Sequence, residues 1–410
     1  MNSIIQLRGT LNQRPNSGRQ GPPNIPKGAK SVESIHLKRL LKELKELDSY
    51  WQTEKLITGA LIDIHYIDVI AKSNRISGYF NKGKKSNESV VGACFDRTDV
   101  KHPKHIITHY ISNEALTDTI VKVENSIRLL DAIFNGTIKH DQIDSIKNKG
   151  IKFEDYNLSE SVFLNIVVDS YYIESFSVPN REANADNNQI ITIYKTDDDV
   201  LSILQSIGIT INPGKMLGNN DTAPTLLLQP DEIGLLQSKA PYLIAMSVND
   251  LTKLSLENIP ASGGGTTMEI SQHTTQTNTI DKPGNQPIVG VIDTLFDTSV
   301  YFSEWVDYRD MVSDDIEKQP KDYGHGTAVS SIIVDGHRLN PALDDGCGNF
   351  RVRHFGVAVG GKFSSFTVVK LIREIVANNR DIKVWNLSLG SDKEVNDNFI
   401  SPEAAELDRI

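Results

Sequence analysis

Cysteine is nearly absent from these 410 residues: Cys94 and Cys347 are the only two, and they stand far apart in the chain. A secreted scaffold held by disulfides would carry more of them. No run approaches 18 consecutive apolar residues, so the sequence offers no transmembrane helix. The opening residues, MNSIIQLRGTLNQRPN, lack the apolar segment of a secretory signal. These absences predict a soluble, cytoplasmic protein without a membrane partner. A basic excess is missing too. The net charge is -10, which argues against a general nucleic-acid binder. Nor is there a Walker A sequence for an NTPase. His337, Cys347 and His354 are too irregularly spaced for a zinc site. Asp344, Asp345 and Asn349 do not make an EF-hand pattern. No cofactor or metal is expected.

What the chain does contain is unevenly arranged. Residues 1–32 hold Arg8, Arg14, Arg19, Lys27 and Lys30 and no acid, a charge of +5, which leaves -15 for the remainder. Residues 1–30 also carry Pro15, Pro22, Pro23 and Pro26, a composition that cannot bury a core, and read as a disordered basic tail. Apolar content of 39% and charged content of 23% are ordinary for a globular protein, and the length suits two to four domains.

From residue 31 to 257 the pattern is mixed α+β, in one or two subdomains. Leu37, Leu40, Leu41, Leu44, Leu47 and Trp51 recur at helical spacing, and Ser31 or Ser34 is placed to cap that helix. Leu56–Ala71 and His105–Ser112 read as strands. A helix over Glu114–Phe134 has Ile120, Val123, Ile127, Leu130 and Ile133 on one face. VFLNIVV near 162, IITIYK near 190, TLLLQ near 225 and PYLIAMS near 241 read as further strands, with helices in DDDVLSILQSIGI and PDEIGLLQSK. Residues 258–286, rich in Gly, Ser, Thr, Gln and Pro, read as a flexible linker.

Beyond it the pattern changes. PIVGVID is a short, nearly continuous apolar run that ends in an acid, as in a parallel strand buried on both faces. GHGTAVSSIIV reads as a helix entered through glycines, and VRHFGVAV as a strand. FTVVKLIREIVANN is an amphipathic helix with Val368, Leu371, Ile372 and Ile375, and DIKVWNLSLG is a buried strand. Strand, helix, strand, helix, strand predicts a doubly wound α/β sheet. SPEAAELDRI reads as the start of another helix.

Two residues here suit acid–base chemistry. Asp293 ends its strand, where functional residues of open α/β sheets gather. A carboxylate there can accept a bond from an imidazole and stabilise its charged form. His325 follows 32 residues later between Gly324 and Gly326, which keep the backbone close and leave room beside the ring.

The segments VIDT, GHGTAVSSII and NLSLGS, in that order, resemble the subtilisin-like, or subtilase, family of serine proteases. The resemblance covers residues 287–410 as a partial peptidase domain, the N-terminal half of the family's doubly wound parallel sheet. It implies that Asp293 is the triad aspartate and His325 the general base. It also implies that Ser388, Leu389 and Gly390 line the cleft where a polypeptide substrate pairs as an added strand. Leu295 and Phe296 stand where the family has a glycine, and the stretch from Asp335 to Ala358 is longer than the family pattern leads one to expect. These features resemble an intracellular bacterial branch with a long N-terminal extension, which implies an AAA ATPase as a protein partner and a regulatory or propeptide-like N-terminal region. The family's Gly-Thr-Ser-x-Ala-x-Pro nucleophile motif and its oxyanion-hole Asn are not found, so the sequence reads as C-terminally truncated and inactive by itself. The alternative is a pseudoprotease or peptide-binding module.

Overall fold

The computed structural model describes residues 24–26, 28, 31–70, 76–82, 85–96, 98–99, 101–146, 150–217, 224–250, 280–344, 346–360, 364–389 and 401–410. The basic tail over 1–30 lies almost wholly outside the described residues, as do most of the linker over 258–286 and the position of Gly390. The chain divides into two compact units. Residues 1–179 with 196–198 form the first, and residues 180–195 with 199–410 the second.

In the first unit, β1 (Val32–Glu33) leads into α1 (Ser34–Thr53), followed by β2 (Ala60–Tyr66), β3 (Val90–Asp96), β4 (Lys104–Ile111), α2 (Asn113–Phe134), β5 (Thr137–Ile138), α3 (His140–Asp144), α4 (Glu160–Tyr172) and β6 (Ile173–Ser177). Strands β3-β4-β2-β6 form an antiparallel sheet. The expected stripe of α1 is buried at Leu37, Leu40, Leu44, Leu47 and Trp51. Its N-cap is Glu33, with no side-chain cap; Ser34 already lies inside the helix, where its N–H donates to Gly136 O at 2.8 Å. On α2 the stripe ends at Phe134 rather than at Ile133, which is exposed, because a 3.6-residue period carries the face from Leu130 to 134.

One element differs in kind. The run VFLNIVV is helix α4, not a strand. Its Ser159 side chain accepts from Val162 N and Glu160 lies in the first turn, both helix-start features. A continuous apolar run fits a helix buried on most of its faces as well as a strand, and the strand of this region, β6, comes directly after it.

The second unit opens with β7 (Gln189–Ile193), α5 (Val200–Ser206), β8 (Met216–Leu217), β9 (Thr225–Leu228), α6 (Pro230–Lys239) and β10 (Ile244–Asn249). Its strands form an antiparallel sheet in the order β10-β7-β9-β8. There follow β11 (Ile288–Thr294), β12 (Val306–Asp310), α7 (Gly324–Leu339), β13 (Arg351–Ala358), α8 (Ser365–Asn378), β14 (Val384–Leu387) and α9 (Pro402–Arg409). These strands make an all-parallel sheet in the order β12-β13-β11-β14. Helix α7 carries the chain from edge strand β12 to β13 on one face of the sheet, and α8 carries it from β13 to β14 on the other.

Alternate residues of β11 point to opposite faces, so its continuous apolar run feeds two cores. Val291 packs with Val352 of β13 and Val334 of α7, joined by Phe296, Phe302 and Trp305. Ile292 packs with Phe355 and Val357 of β13 and Val368, Ile372 and Ile375 of α8. Helices cover both faces, and the fold is the doubly wound α/β arrangement expected. The short edge strand β12 was not legible, since VDYRD has neither an apolar run nor clean alternation. Among the described residues, no helix is long and apolar enough to cross a membrane.

Gly290 in the middle of β11 pairs with Trp385 of β14, and a Cβ there would collide with the indole ring. Gly290→Ala therefore forces Trp385 out of its place against Phe355. A loss of about 1–3 kcal/mol is expected for such overpacking, read as a lower denaturation midpoint of the full chain.

Candidate active site

The site is built where β11 ends and α7 begins. Asp293 is fully buried at the carboxyl end of the central strand. His325 sits in the first turn of α7, its side chain 24% exposed. Its Nδ1 lies 2.6 Å from Asp293 Oδ1. An ionised carboxylate only accepts, so Nδ1 carries the hydrogen. The same Oδ1 accepts from Thr294 N at 2.6 Å. Asp293 Oδ2 has no hydrogen-bond partner among the described residues. The ring is thus held at one nitrogen by a buried acid while one side of it reaches solvent.

Thr294 ties the two elements together. Its Oγ1 accepts from Gly326 N at 2.9 Å, and its carbonyl accepts from His354 Nε2 at 2.8 Å. The ladder between β11 and β13 shifts register between Asp293 and Thr294, so the strand breaks its regular pairing at the point where it meets the helix. Gly326 makes that meeting possible. A Cβ there would lie 2.7 Å from both Thr294 O and Leu295 O, and 2.8 Å from the His354 ring. Gly324 has nothing within 4 Å of an added Cβ. Close approach therefore requires the glycine after the histidine and not the one before it, a refinement of the sequence expectation.

Leu295 and Phe296 are fully buried. Leu295 packs with Val312 and Val359, Phe296 with Phe302, Trp305 and Val334, and Leu295 N donates to Asp322 O at 3.1 Å. The departure from the family's glycine thus serves the core: the chain leaves Thr294 by turning apolar side chains inward. Asp322 braces the same end of the sheet, its carboxylate accepting from Gln319 N at 2.8 Å and Gly360 N at 3.0 Å.

Ser388 and Leu389 directly follow β14, whose register with β11 pairs Ile292 with Leu387. They therefore lie at the same sheet end as Asp293. Ser388 is exposed, with its hydroxyl donating to Asn386 Oδ1 at 2.7 Å, and Leu389 packs against the α8 core. Gly390 lies outside the described residues.

Sequence reasoning missed His354 and Ser330 as parts of this neighbourhood. Both are fully buried, and His354 Nδ1 lies 2.9 Å from Ser330 Oγ. Thr294 O can only accept, so His354 Nε2 bears the hydrogen and Nδ1 of the neutral ring accepts from the hydroxyl. Burial holds the His354 pKa below the usual imidazole value, opposed by the bond to Thr294 O and by the charge of Asp293. No sequence signal separates this His from any other in an apolar strand. Among the described residues, no group of three His, Cys, Asp or Glu side chains is placed to hold a metal ion.

The parallel, doubly wound sheet thus presents a carboxylate–imidazole pair at its carboxyl edge. Residues 284–409 match the model of the subtilase family, Peptidase_S8. The match spans under a third of the chain and is a similarity of this C-terminal segment to that family. No curated protein and no solved structure matches the chain.

The lowered His354 pKa fixes a sign for stability against pH. Between the folded value and the unfolded value of about 6.5, the unfolded chain holds the extra proton. Stability from this group is complete above that range and is lost as pH falls through it. The unfolding free energy should drop toward acid with a slope approaching about 1.4 kcal/mol per pH unit, and His354→Gln should flatten that component. Denaturant titrations of both proteins between pH 7.5 and 5 check it.

Proposed function

We propose that the Asp293–His325 pair is the acid–base half of a subtilisin-like serine endopeptidase site acting on polypeptides. The observation that carries this reading is the 2.6 Å bond from His325 Nδ1 to a fully buried carboxylate oxygen. Its chemistry follows from the tautomer. With Nδ1–H engaged, Nε2 is the basic nitrogen and takes the proton of a serine hydroxyl as that oxygen attacks the scissile carbonyl. Asp293 stabilises the imidazolium that forms, and Nε2 returns the proton to the leaving amine. Ser388 and Leu389 are proposed to meet an extended substrate backbone; the pairing of Ile292 with Leu387, which sets them at the Asp293 end of the sheet, supports this.

The 410 residues contain no Gly-Thr-Ser-x-Ala-x-Pro segment, so the hydroxyl that His325 serves is not among them. The chain by itself is accordingly proposed to lack triad-dependent hydrolysis. The test is the product of the native locus, by intact mass and by sequencing past codon 410. The expected result is a longer protein with the serine motif that labels with a fluorophosphonate. Its kcat should fall roughly 10^4-fold in Asp293→Asn. A 45.5 kDa product that binds peptides without cleaving them would favour the pseudoprotease reading instead.

A second reading concerns the antiparallel module of β7–β10, which we propose to be propeptide-like in supporting the peptidase segment. Asp250, just past β10, accepts at Oδ1 from Ser364 Oγ at 3.1 Å, Ser365 Oγ at 3.2 Å and Phe366 N at 3.2 Å. A carboxylate is thereby set on the positive end of α8. Ile190 and Leu217 pack on Phe366 and Val369 of the same helix. Asp250→Ala should lower the stability of the full chain by about 1–2 kcal/mol, while Asp250→Asn retains much of it. Equal denaturation midpoints for wild type and Asp250→Ala would remove the support for this role.

A further inference from the structure

Three side chains connect the strand end that carries Asp293 to the helix that carries His325. Thr294 Oγ1 with Gly326 N makes the first link, at 2.9 Å. Asp297 N donates to Thr327 Oγ1 at 2.8 Å in the second. The third runs through His354 of β13, whose ring touches Thr294 O with Nε2 and Ser330 Oγ of α7 with Nδ1. This last one crosses the whole interface between strand and helix, and it is dry, since both Ser330 and His354 are fully buried.

We infer that His354 is a positioning residue for the Asp293–His325 pair, its imidazole spanning Thr294 O and Ser330 Oγ and thereby fixing the angle at which the aspartate meets the histidine. The inference rests on the pair acting as a catalytic dyad. Thr294 follows Asp293 directly, so rotation of the Thr294 peptide moves the carboxylate, and the register shift at this point leaves that peptide outside the ordinary ladder. Ser330 lies five residues after His325 on the same helix, so rotation or sliding of α7 moves both. His354 opposes both motions. Phe296 and Tyr308 fix its own ring plane, each with a ring centroid 5.6 Å away. A hydrophobic residue of similar volume would fill the space and leave Thr294 O and Ser330 Oγ without these partners, a change in geometry rather than in packing.

The role also makes electrostatic sense. Asp293 faces His325 directly and His354 across one peptide. A neutral His354 leaves the carboxylate opposite a single cation when His325 is protonated. Hydrogen bonding sets the same condition, because Nδ1 must accept from Ser330 while Nε2 donates to Thr294.

The test reads the dyad bond itself, in the full 410-residue chain labelled with 15N-histidine. A short N–H bond to a carboxylate shifts its proton far downfield and slows its exchange with water. Wild type should show that His325 Nδ1–H signal. His354→Leu and Ser330→Ala should each accelerate its exchange at least 10-fold or broaden it away, and His354→Gln, which can still donate to Thr294 O, should restore it. Ser330→Ala is nearly isosteric and decides the matter if His354→Leu does not fold, as judged by its thermal transition. An unchanged signal in folded Ser330→Ala or His354→Leu protein overturns the positioning role. Asp293→Asn separates the two levels. If the signal survives it, the dyad reading fails and the inference with it; if the signal is lost there but untouched by the other variants, only the inference fails.

Discussion

The architecture of the C-terminal segment hinges on one close approach, where the peptide after Asp293 meets the backbone of Gly326. No side chain fits between them. Everything that follows is a consequence of that distance. The helix can begin against the strand end, so an imidazole on its first turn lies within 2.6 Å of a carboxylate on the strand. Strand and helix belong to elements with buried faces on the same core, so the approach is stabilised by the packing of Val291 and Val334 rather than by the polar contacts alone. The two apolar cores above and below the sheet are the physical reason a carboxylate–imidazole pair can be held at its edge with one member inaccessible to water.

Burial also shapes the polar groups around this point. Asp293 receives two short bonds on one oxygen, from an amide and an imidazole, which compensate for taking a carboxylate out of water. His354, a few ångströms away, receives no such partner and stays neutral, its nitrogens committed to a carbonyl and a hydroxyl. The two histidines thus differ in environment: His325 bonds a carboxylate and is part-exposed, while His354 is fully buried and bonds only neutral groups.

Much of this was legible in the sequence. An apolar run ending in an acid announced a central strand with a carboxylate at its carboxyl end, and glycines around a histidine announced a tight helix entry. The periodicity of Val368, Ile372 and Ile375 gave the helix that covers the other face. What escaped has a common cause. The identity of α4 escaped because a continuous apolar run has no period to read. Strand β12 is an edge strand whose sequence, VDYRD, obeys its neighbours rather than its own propensity. The roles of His354, Ser330 and Asp250 escaped because each is defined by a partner 24 to 115 residues away, and nothing local distinguishes them. The stripe on α2 was read to Ile133, one position short of Phe134, where the 3.6-residue period carries it from Leu130.

Helix α8 is clamped from two directions. One flank lies on the parallel sheet through Val368, Ile372 and Ile375, and the other on the antiparallel module through Phe366 and Val369, with Asp250 at its start. None of these contacts uses the continuity of the chain between Asp250 and Ile280. A peptide bond broken anywhere in that interval would therefore leave the module seated, and the two pieces would travel together as a noncovalent complex. The seating of the module thus depends on the affinity of that apolar and hydrogen-bonded contact rather than on the linking chain.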